Sequence, residues 1–361
     1  MRALCHISAN ALINNYSKFN TLTGSALVIP VVKANAYGHG AIAVVKILQK
    51  AFDIRMVAVA TLEEAQEIAR EIPDVEILIF SRIFPEELNQ LPPKAVVTIT
   101  SLEDYKQLKS AATRLIPVHL NVNTGMNRLG LHPDEVLDVI NEDSGYLKVT
   151  GVYSHLSSAD TTNQASVQKQ GDTFTDLCKH LAQMGFEGLR HLSNSAGMLT
   201  RSEFSWDAIR LGIGLYGYDT TPSKNFINDL KPVMRVTAPL IRQSILKAGE
   251  PVSYAETWLA STSTRVGTLR IGYADGYRRD LSNRGRVTFD GFEFPVIGTV
   301  TMDHIMIDLG ETDIKSGLYL TVLGGDDKNT SIAAVSRRLG TIPYEICCGI
   351  SPRVVRVYDA Q

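Results

Sequence analysis

Over the first 217 positions, short apolar runs rich in Val and Ile alternate with longer stretches in which apolar and polar residues recur at helical spacing. The runs are Ala26–Lys33, Met56–Thr61, Val75–Ser81, Ala95–Ser101, Ile116–Asn123, Leu147–Leu156, Leu189–Asn194 and Ala208–Leu211. Helices are predicted between them at Gly40–Lys50, Leu62–Glu71, Glu86–Leu91, Leu102–Thr113, His132–Asn141 and Asn163–Gly185, with a short one near Ala196–Arg201. Strand alternating with helix predicts a parallel sheet covered on both faces. Eight such strands predict a closed (β/α)8 barrel of the TIM type rather than an open sheet.

The texture changes after Tyr218. Thr220 to Asn225 reads as a turn-rich linker. Short alternating segments follow at Val233–Gln243, Thr264–Tyr273, Arg286–Phe289, Glu293–Ile297, His304–Leu309 and Tyr319–Leu323, separated by turn signals such as Asp290-Gly291 and Gly324-Gly325. They predict a mainly antiparallel β domain with one helix near Ser331–Gly340. The expected organisation is therefore α/β: a barrel over residues 1–230 and a β domain over 231–361, with the first residues left open to pack against the second domain.

Composition narrows the partners. The 361 residues carry 36 basic and 38 acidic side chains, so no charge excess steers the chain to nucleic acid or an anionic membrane. No run approaches the 18 or so apolar residues of a membrane span, and Met1 to Asn10 holds no apolar signal region. Four cysteines (Cys5, Cys178, Cys347, Cys348) are too few for a disulfide framework and read as reduced thiols. The expected location is cytoplasmic. His6, His119 and His180 lack metal-ligand spacing, so no metal is expected, and Trp206 and Trp258 read as packing residues.

In such a barrel, chemistry belongs at the C-terminal ends of the strands. Those ends carry Lys33, Arg128, His155, Asn194 with Ser195, and Arg210 with Gly212 and Ile213, polar groups from five strands facing one mouth. Gly212-Ile-Gly-Leu-Tyr-Gly217 matches a dinucleotide fingerprint by letter, but it runs into Tyr218-Asp-Thr-Thr-Pro222 instead of opening a helix, which excludes that reading. On its own the segment is either a phosphate-binding loop of the barrel kind or a plain glycine turn. Lys33 alone is either a desolvated amine suited to Schiff-base chemistry or a strand-end lysine reaching water.

Taken together and in order, these segments resemble the alanine racemase family, fold-type III pyridoxal-phosphate enzymes. The carrying residues are Lys33-Ala-Asn-Ala-Tyr-Gly-His-Gly40, Asn123-Thr-Gly-Met-Asn-Arg128-Leu-Gly, His191-Leu-Ser-Asn-Ser195 and Arg210-Leu-Gly-Ile-Gly-Leu-Tyr-Gly217. In the second domain they are Val252-Ser-Tyr254, Ile271-Gly-Tyr273-Ala-Asp-Gly276, Thr301-Met302-Asp303 and Pro343-Tyr344-Glu345. The likeness spans about Lys33 to Arg356.

The resemblance implies interconversion of L- and D-alanine with pyridoxal 5'-phosphate, supplying D-alanine for cell-wall peptidoglycan, in a homodimer whose active site is shared between subunits. It implies that Lys33 holds the cofactor and is the base for the D-enantiomer. Tyr254, from the other subunit, is the base for the L-enantiomer. Arg128 and the Met302 backbone hold the substrate carboxylate. Tyr37, Ser195, Gly212, Ile213 and Tyr344 match phosphate-contacting positions, with Asn194 in the same segment. Arg210 matches the partner of the pyridine nitrogen, and His155 its neighbour. The chemistry is consistent, because a phenol and an amine have unperturbed pKa values of about 10 and 10.4 and can exchange one proton in either direction. A guanidinium stays protonated and cannot hand its proton to the ring.

One position departs from many relatives. Asn121 stands where they carry a lysine modified to a carbamate, so Arg128, expected in a closed barrel mouth, needs another counter-charge, and a chloride near Asn121 and Arg128 is expected. Two alternatives remain on sequence: a racemase of broader specificity acting on serine or lysine, and a non-catalytic pyridoxal-phosphate-binding barrel protein. A basic amino-acid decarboxylase of the same fold type would need a different second-domain motif set.

Overall fold

The computed structural model of the chain describes residues 1–142, 144–221 and 230–359. The chain forms two compact units. One comprises Ile13–Ala36 and Ala41–Leu230, the other Met1–Leu12, Tyr37–Gly40 and Lys231–Gln361.

The larger unit is α/β. Six parallel strands run in chain order, Met56–Val59, Glu76–Ile79, Ala95–Ile99, Ile116–Asn121, Leu147–Tyr153 and Leu189–His191, and a parallel pair is formed by Leu27–Pro30 and Ala208–Leu211. Parallel bridges Val31–Ala58 and Asn194–Arg210 join the pair to both edges of the six, closing an eight-stranded ring. The strands are continuous apolar runs because both faces are covered; Val57, Val59, Ile77, Ile79, Val97, Ile99, Val118, Leu120 and Val152 are all completely buried. Each helix expected between strands is present within a residue or two, except that Pro85–Gln90 is a 3-10 segment.

The smaller unit is built on the 13-residue strand Met234–Leu246. It pairs on one side with Tyr319–Gly324 and on the other with Thr264–Leu269, and the chain of pairings through Arg286–Phe289, Phe292–Ile297 and Ile305–Gly310 closes the sheet on itself. Leu4–Ile7 also pairs antiparallel with Met234–Leu246 and parallel with Val355–Tyr358.

Two features differ from expectation. The first, sixth and seventh barrel strands end three residues early, at Pro30, Tyr153 and His191 rather than Lys33, Leu156 and Asn194. In the first, Ala34, Asn35, Ala36 and Tyr37 all have φ between 51° and 54°, which no strand accommodates. Four elements were not anticipated: Leu4–Ile7, Ala9–Thr23, Pro343–Cys348 and Val355–Tyr358. Of the linker expected from Thr220 to Asn225, Pro222 onward lies outside the described residues.

Candidate active site

Lys33 opens the left-handed turn Ala34–Tyr37. Non-glycine residues in this conformation cost roughly 1–2 kcal/mol each, so the surrounding bonds must hold it. Asn35 Oδ1 accepts the Ala41 N–H at 2.8 Å, tying the turn to the helix Ala41–Ala51. Glu64 Oε1 accepts the Ala34 N–H at 2.6 Å. Lys33 Nζ lies 6.0 Å from the Phe80 ring centroid, and Phe80 in turn contacts Tyr153.

Arg210 is buried, and five carbonyl or imidazole groups fix its ends. Nη1 donates to the His191 carbonyl at 3.0 Å and to His191 Nδ1 at 2.8 Å. Nη2 donates to the carbonyls of Ser154 and Leu192 and lies 3.3 Å from His155 Nδ1. The guanidinium also stands over the Tyr153 ring at 5.1 Å. Among the described residues Nε carries no hydrogen bond. Burial lowers the Arg210 pKa to about 10.

His155 is where the strand-end residues meet electrostatically. Burial first, then the charges of Arg210, Arg128 and Lys33, push its pKa down to about 3, so it is neutral at pH 7. The neighbouring histidines are neutral for the same reasons: burial and Arg210 hold His119 at about 3 and His191 well below its ordinary value. His119 Nδ1 meets His191 Nε2 at 3.0 Å. His119 pairs across the ladder with Gly151, where a methyl group would strike the imidazole. The glycine makes room for the His119 ring. In the sequence His119 stands out only as a histidine without metal-ligand spacing.

Ser195, 5% exposed, accepts the N–H groups of Gly212 at 3.0 Å and Gly214 at 3.2 Å through Oγ. Its own hydroxyl proton has no acceptor among the described residues. Asn194 Oδ1 caps the short helix Ser195–Thr200 by accepting the Gly197 N–H at 2.8 Å. Ile213 begins the 3-10 turn Ile213–Tyr216. No long helix opens after the glycines, so the segment is not a dinucleotide fold.

Arg128 is exposed and makes no hydrogen bond or ion pair among the described residues; its expected enclosure is absent in the single chain. Asn121 is half-buried, and its side-chain amide likewise has no partner among them. Gln170 holds the Arg128 segment from behind: Nε2 donates to Thr124 Oγ1 and to the His155 carbonyl, while Oε1 accepts from the Ser157 N–H and hydroxyl.

In the smaller unit, the Tyr37 and Tyr344 rings are 5.7 Å apart. Burial, then Tyr344 and Cys348, raise the Tyr37 pKa. Gly38 has φ +82°, and a methyl there would sit on the Cys347 carbonyl. Arg356 Nε donates to the Gly38 carbonyl at 3.1 Å, and Tyr358 Oη donates to that of His39 at 3.0 Å. Tyr254 is 72% exposed. Its carbonyl accepts the Thr299 hydroxyl, whose own carbonyl accepts the Ser253 hydroxyl, a reciprocal clasp on a segment with positive φ at Ser253, Ala255 and Glu256. Met302 is 52% exposed, with its carbonyl bonded to the Ala274 N–H.

Among the described residues no helix is long and apolar enough to cross a membrane, and no three His, Cys, Asp or Glu groups are placed to hold a metal ion. Trp206 packs edge-on against Phe174 and under Arg190. Trp258 packs on the cluster of Val252, Val266 and Ile297.

Two family profiles match the chain: "Alanine racemase, N-terminal domain" over residues 7–220 and "Alanine racemase, C-terminal domain" over residues 233–358. The alanine racemase of Halothermothrix orenii is 33% identical over 98% of this chain and 95% of its own length. Among solved structures, the alanine racemase of Clostridium difficile 630 superposes with a TM-score of 0.93 at 28% identity, covering 99% of this chain and 96% of that one. The Bartonella henselae alanine racemase with covalently bound pyridoxal phosphate superposes with a TM-score of 0.87 at 29% identity, covering 99% and 100%. With both domains matched in order over nearly its whole length, the chain belongs to the alanine racemase family.

Proposed function

We propose that the chain interconverts L- and D-alanine with pyridoxal phosphate, passing a proton between Lys33 on one face of the substrate's Cα and Tyr254 on the other. The observation that carries the assignment is the pair of donors on two buried side chains left without acceptors among the described residues, Arg210 Nε and the Ser195 hydroxyl. A pyridine nitrogen and a phosphate oxygen are what such donors take. Lys33 would hold the cofactor, with Ser195, Gly212, Ile213, Tyr37 and Tyr344 on its phosphate, Asn194 fixing the helix start beneath, and Arg210 with His155 beside its ring.

When bound, pyridoxal phosphate supplies the sink for the electron pair released as the Cα–H bond breaks. The residues do the rest. Lys33 Nζ takes the proton from D-alanine or returns one to form it, and Tyr254 Oη does the same for L-alanine. Their unperturbed pKa values, about 10.4 and 10, are close enough for transfer both ways. Arg128 and the Met302 main chain hold the carboxylate, which fixes the Cα–H bond across the plane. Arg210, a donor that keeps its proton, would stand beside the ring nitrogen without protonating it, which would disfavour side reactions needing a stronger electron sink. With Tyr254 so exposed, we infer that it serves the site of a second copy, so the working unit is a homodimer. We also infer a chloride between the unpartnered Arg128 guanidinium and the Asn121 amide.

The test of the lysine assignment is borohydride reduction of the cofactor-loaded enzyme followed by peptide mapping. The pyridoxyl adduct is expected on Lys33. An adduct on another lysine overturns it.

A further inference from the structure

Glu64 stands at the third position of the helix Leu62–Glu71, where a capping-box glutamate ordinarily folds back on its own helix start. It does so with Oε2, which accepts the Thr61 N–H at 3.3 Å and, more closely, the Ala60 N–H at 2.7 Å. A capping box needs only one oxygen. The other, Oε1, accepts the Ala34 N–H at 2.6 Å, thirty residues away in sequence.

The two amides come from neighbouring strand ends. The strand before Lys33 meets the strand Met56–Val59 at the Val31–Ala58 bridge, and the Val32 N–H still reaches the Ala58 carbonyl at 2.8 Å. Beyond that point the left-handed turn carries the Lys33 segment out of register, and no ladder carbonyl remains for Ala34. The Glu64 carboxylate is inserted there, accepting the Ala34 N–H from one strand end and the Ala60 and Thr61 N–H groups from the other. Ala34 is the first of the four left-handed residues, so this bond fixes the turn at the point where it leaves Lys33.

We propose that Glu64 is a positioning residue for Lys33: one carboxylate caps its own helix and pins the left-handed turn that aims the cofactor lysine. The proposal rests on the reading of Lys33 as that lysine. A carboxylate suits the place because both of its oxygens accept. A glutamine would turn an NH2 group toward one of the amides, and the bonds at stake are charge-assisted.

The test compares wild type, Glu64→Gln, Glu64→Ala and Thr61→Ala. Thr61→Ala weakens the same helix cap without touching Ala34. Three quantities are measured: equilibrium retention of pyridoxal phosphate on dialysis, amide hydrogen exchange of the 33–41 peptide in the cofactor-free protein, and the thermal midpoint. Both Glu64 variants are expected to retain the cofactor about tenfold less tightly and to exchange the 33–41 amides about tenfold faster. Thr61→Ala is expected to lower the thermal midpoint and leave the other two near wild type. Glu64→Gln matching Thr61→Ala in cofactor retention and exchange overturns the proposal, and this variant decides the matter should Glu64→Ala not fold. A Lys33→Ala arm separates the two readings. If it still yields a reducible adduct, the lysine assignment fails, while exchange at 33–41 still judges the hold of Glu64 on the turn.

Discussion

Arg210 Nη1 donates to Nδ1 of His191 at 2.8 Å, and since a guanidinium has no acceptor, this bond sets the tautomer of the imidazole. His191 must carry its proton on Nε2 and donate it to Nδ1 of His119, 3.0 Å away. The cation is thus backed by two neutral rings in series, each orienting the next. Tyr153, stacked on His191 at 4.9 Å, covers the same assembly.

That arrangement makes the fold sensitive to acid. His119, His155 and His191 all have folded pKa values below the unfolded value of about 6.5. Between these values the unfolded state binds more protons. The stabilisation from keeping them neutral is therefore complete above about pH 6.5 and is lost as pH falls toward about 3. Each histidine is expected to contribute a slope of about 1.4 kcal/mol per pH unit in that window. Denaturant titrations of the cofactor-free protein at pH 6.5, 5.5 and 4.5 measure it, and His119→Asn should flatten the slope by about one proton. An unchanged slope in that variant would show His119 to be titrating normally.

Gln170 joins the Arg128 segment to the His155 segment through four bonds. Gln170→Leu is expected to destabilise by about 1–3 kcal/mol, because buried partners lose their bonds. Loss of order in the Thr124–Arg128 loop should raise KM for alanine by roughly tenfold with a smaller change in kcat. Steady-state kinetics beside thermal unfolding would separate the effects; a fall in kcat alone contradicts the positioning role.

Tyr254→Phe removes the proposed L-face base without altering Lys33. Loss of a general acid–base group costs about 10²–10⁴-fold. Steady-state rates cannot assign the loss, since the two enantiomers are equal in free energy and both directions must slow together. Solvent-deuterium incorporation, followed from each enantiomer separately, can. Exchange from L-alanine should collapse while exchange from D-alanine survives. Equal loss of both, with cofactor release, would make Tyr254 structural.

The inferred anion between Arg128 and Asn121 has a modest expected effect, because Arg128 is exposed in the single chain. Replacing chloride by a large, weakly binding anion at constant ionic strength should raise KM for alanine by about two- to fivefold, the scale of an exposed ion pair. Asn121→Lys supplied with bicarbonate should abolish the chloride dependence. A wild-type KM indifferent to chloride removes the site.

The barrel was legible because its strands are buried on both faces and therefore read as unbroken apolar runs such as Val75–Ser81. Leu4–Ile7 was not, since His6 breaks a run of four residues whose partners lie more than 200 positions downstream. Val355–Tyr358 has no buried residue to mark it and is a strand because Leu4–Ile7 pairs with it. At the site, the residue types that face ligands stood out by motif, whereas those that hold them did not. Glu64 occupies the place of any capping-box glutamate, Gln170 looks like a polar helix position, and Lys33-Ala-Asn-Ala-Tyr37 contains no glycine to announce four left-handed residues.

Tyr37–Gly40 is clasped by Arg356 and Tyr358, 318 and 319 positions further along. On the ribosome this has a temporal meaning. At about 5–20 residues per second, roughly a quarter of a minute to a minute separates synthesis of the turn from synthesis of its clasp. The larger unit can assemble its ring of strands in that interval, but the loop beside the lysine stays unlatched until Val355–Tyr358 has been made. A nascent chain would therefore leave Gly38 and His39 without the Arg356 and Tyr358 bonds long after the strands of the larger unit have been made.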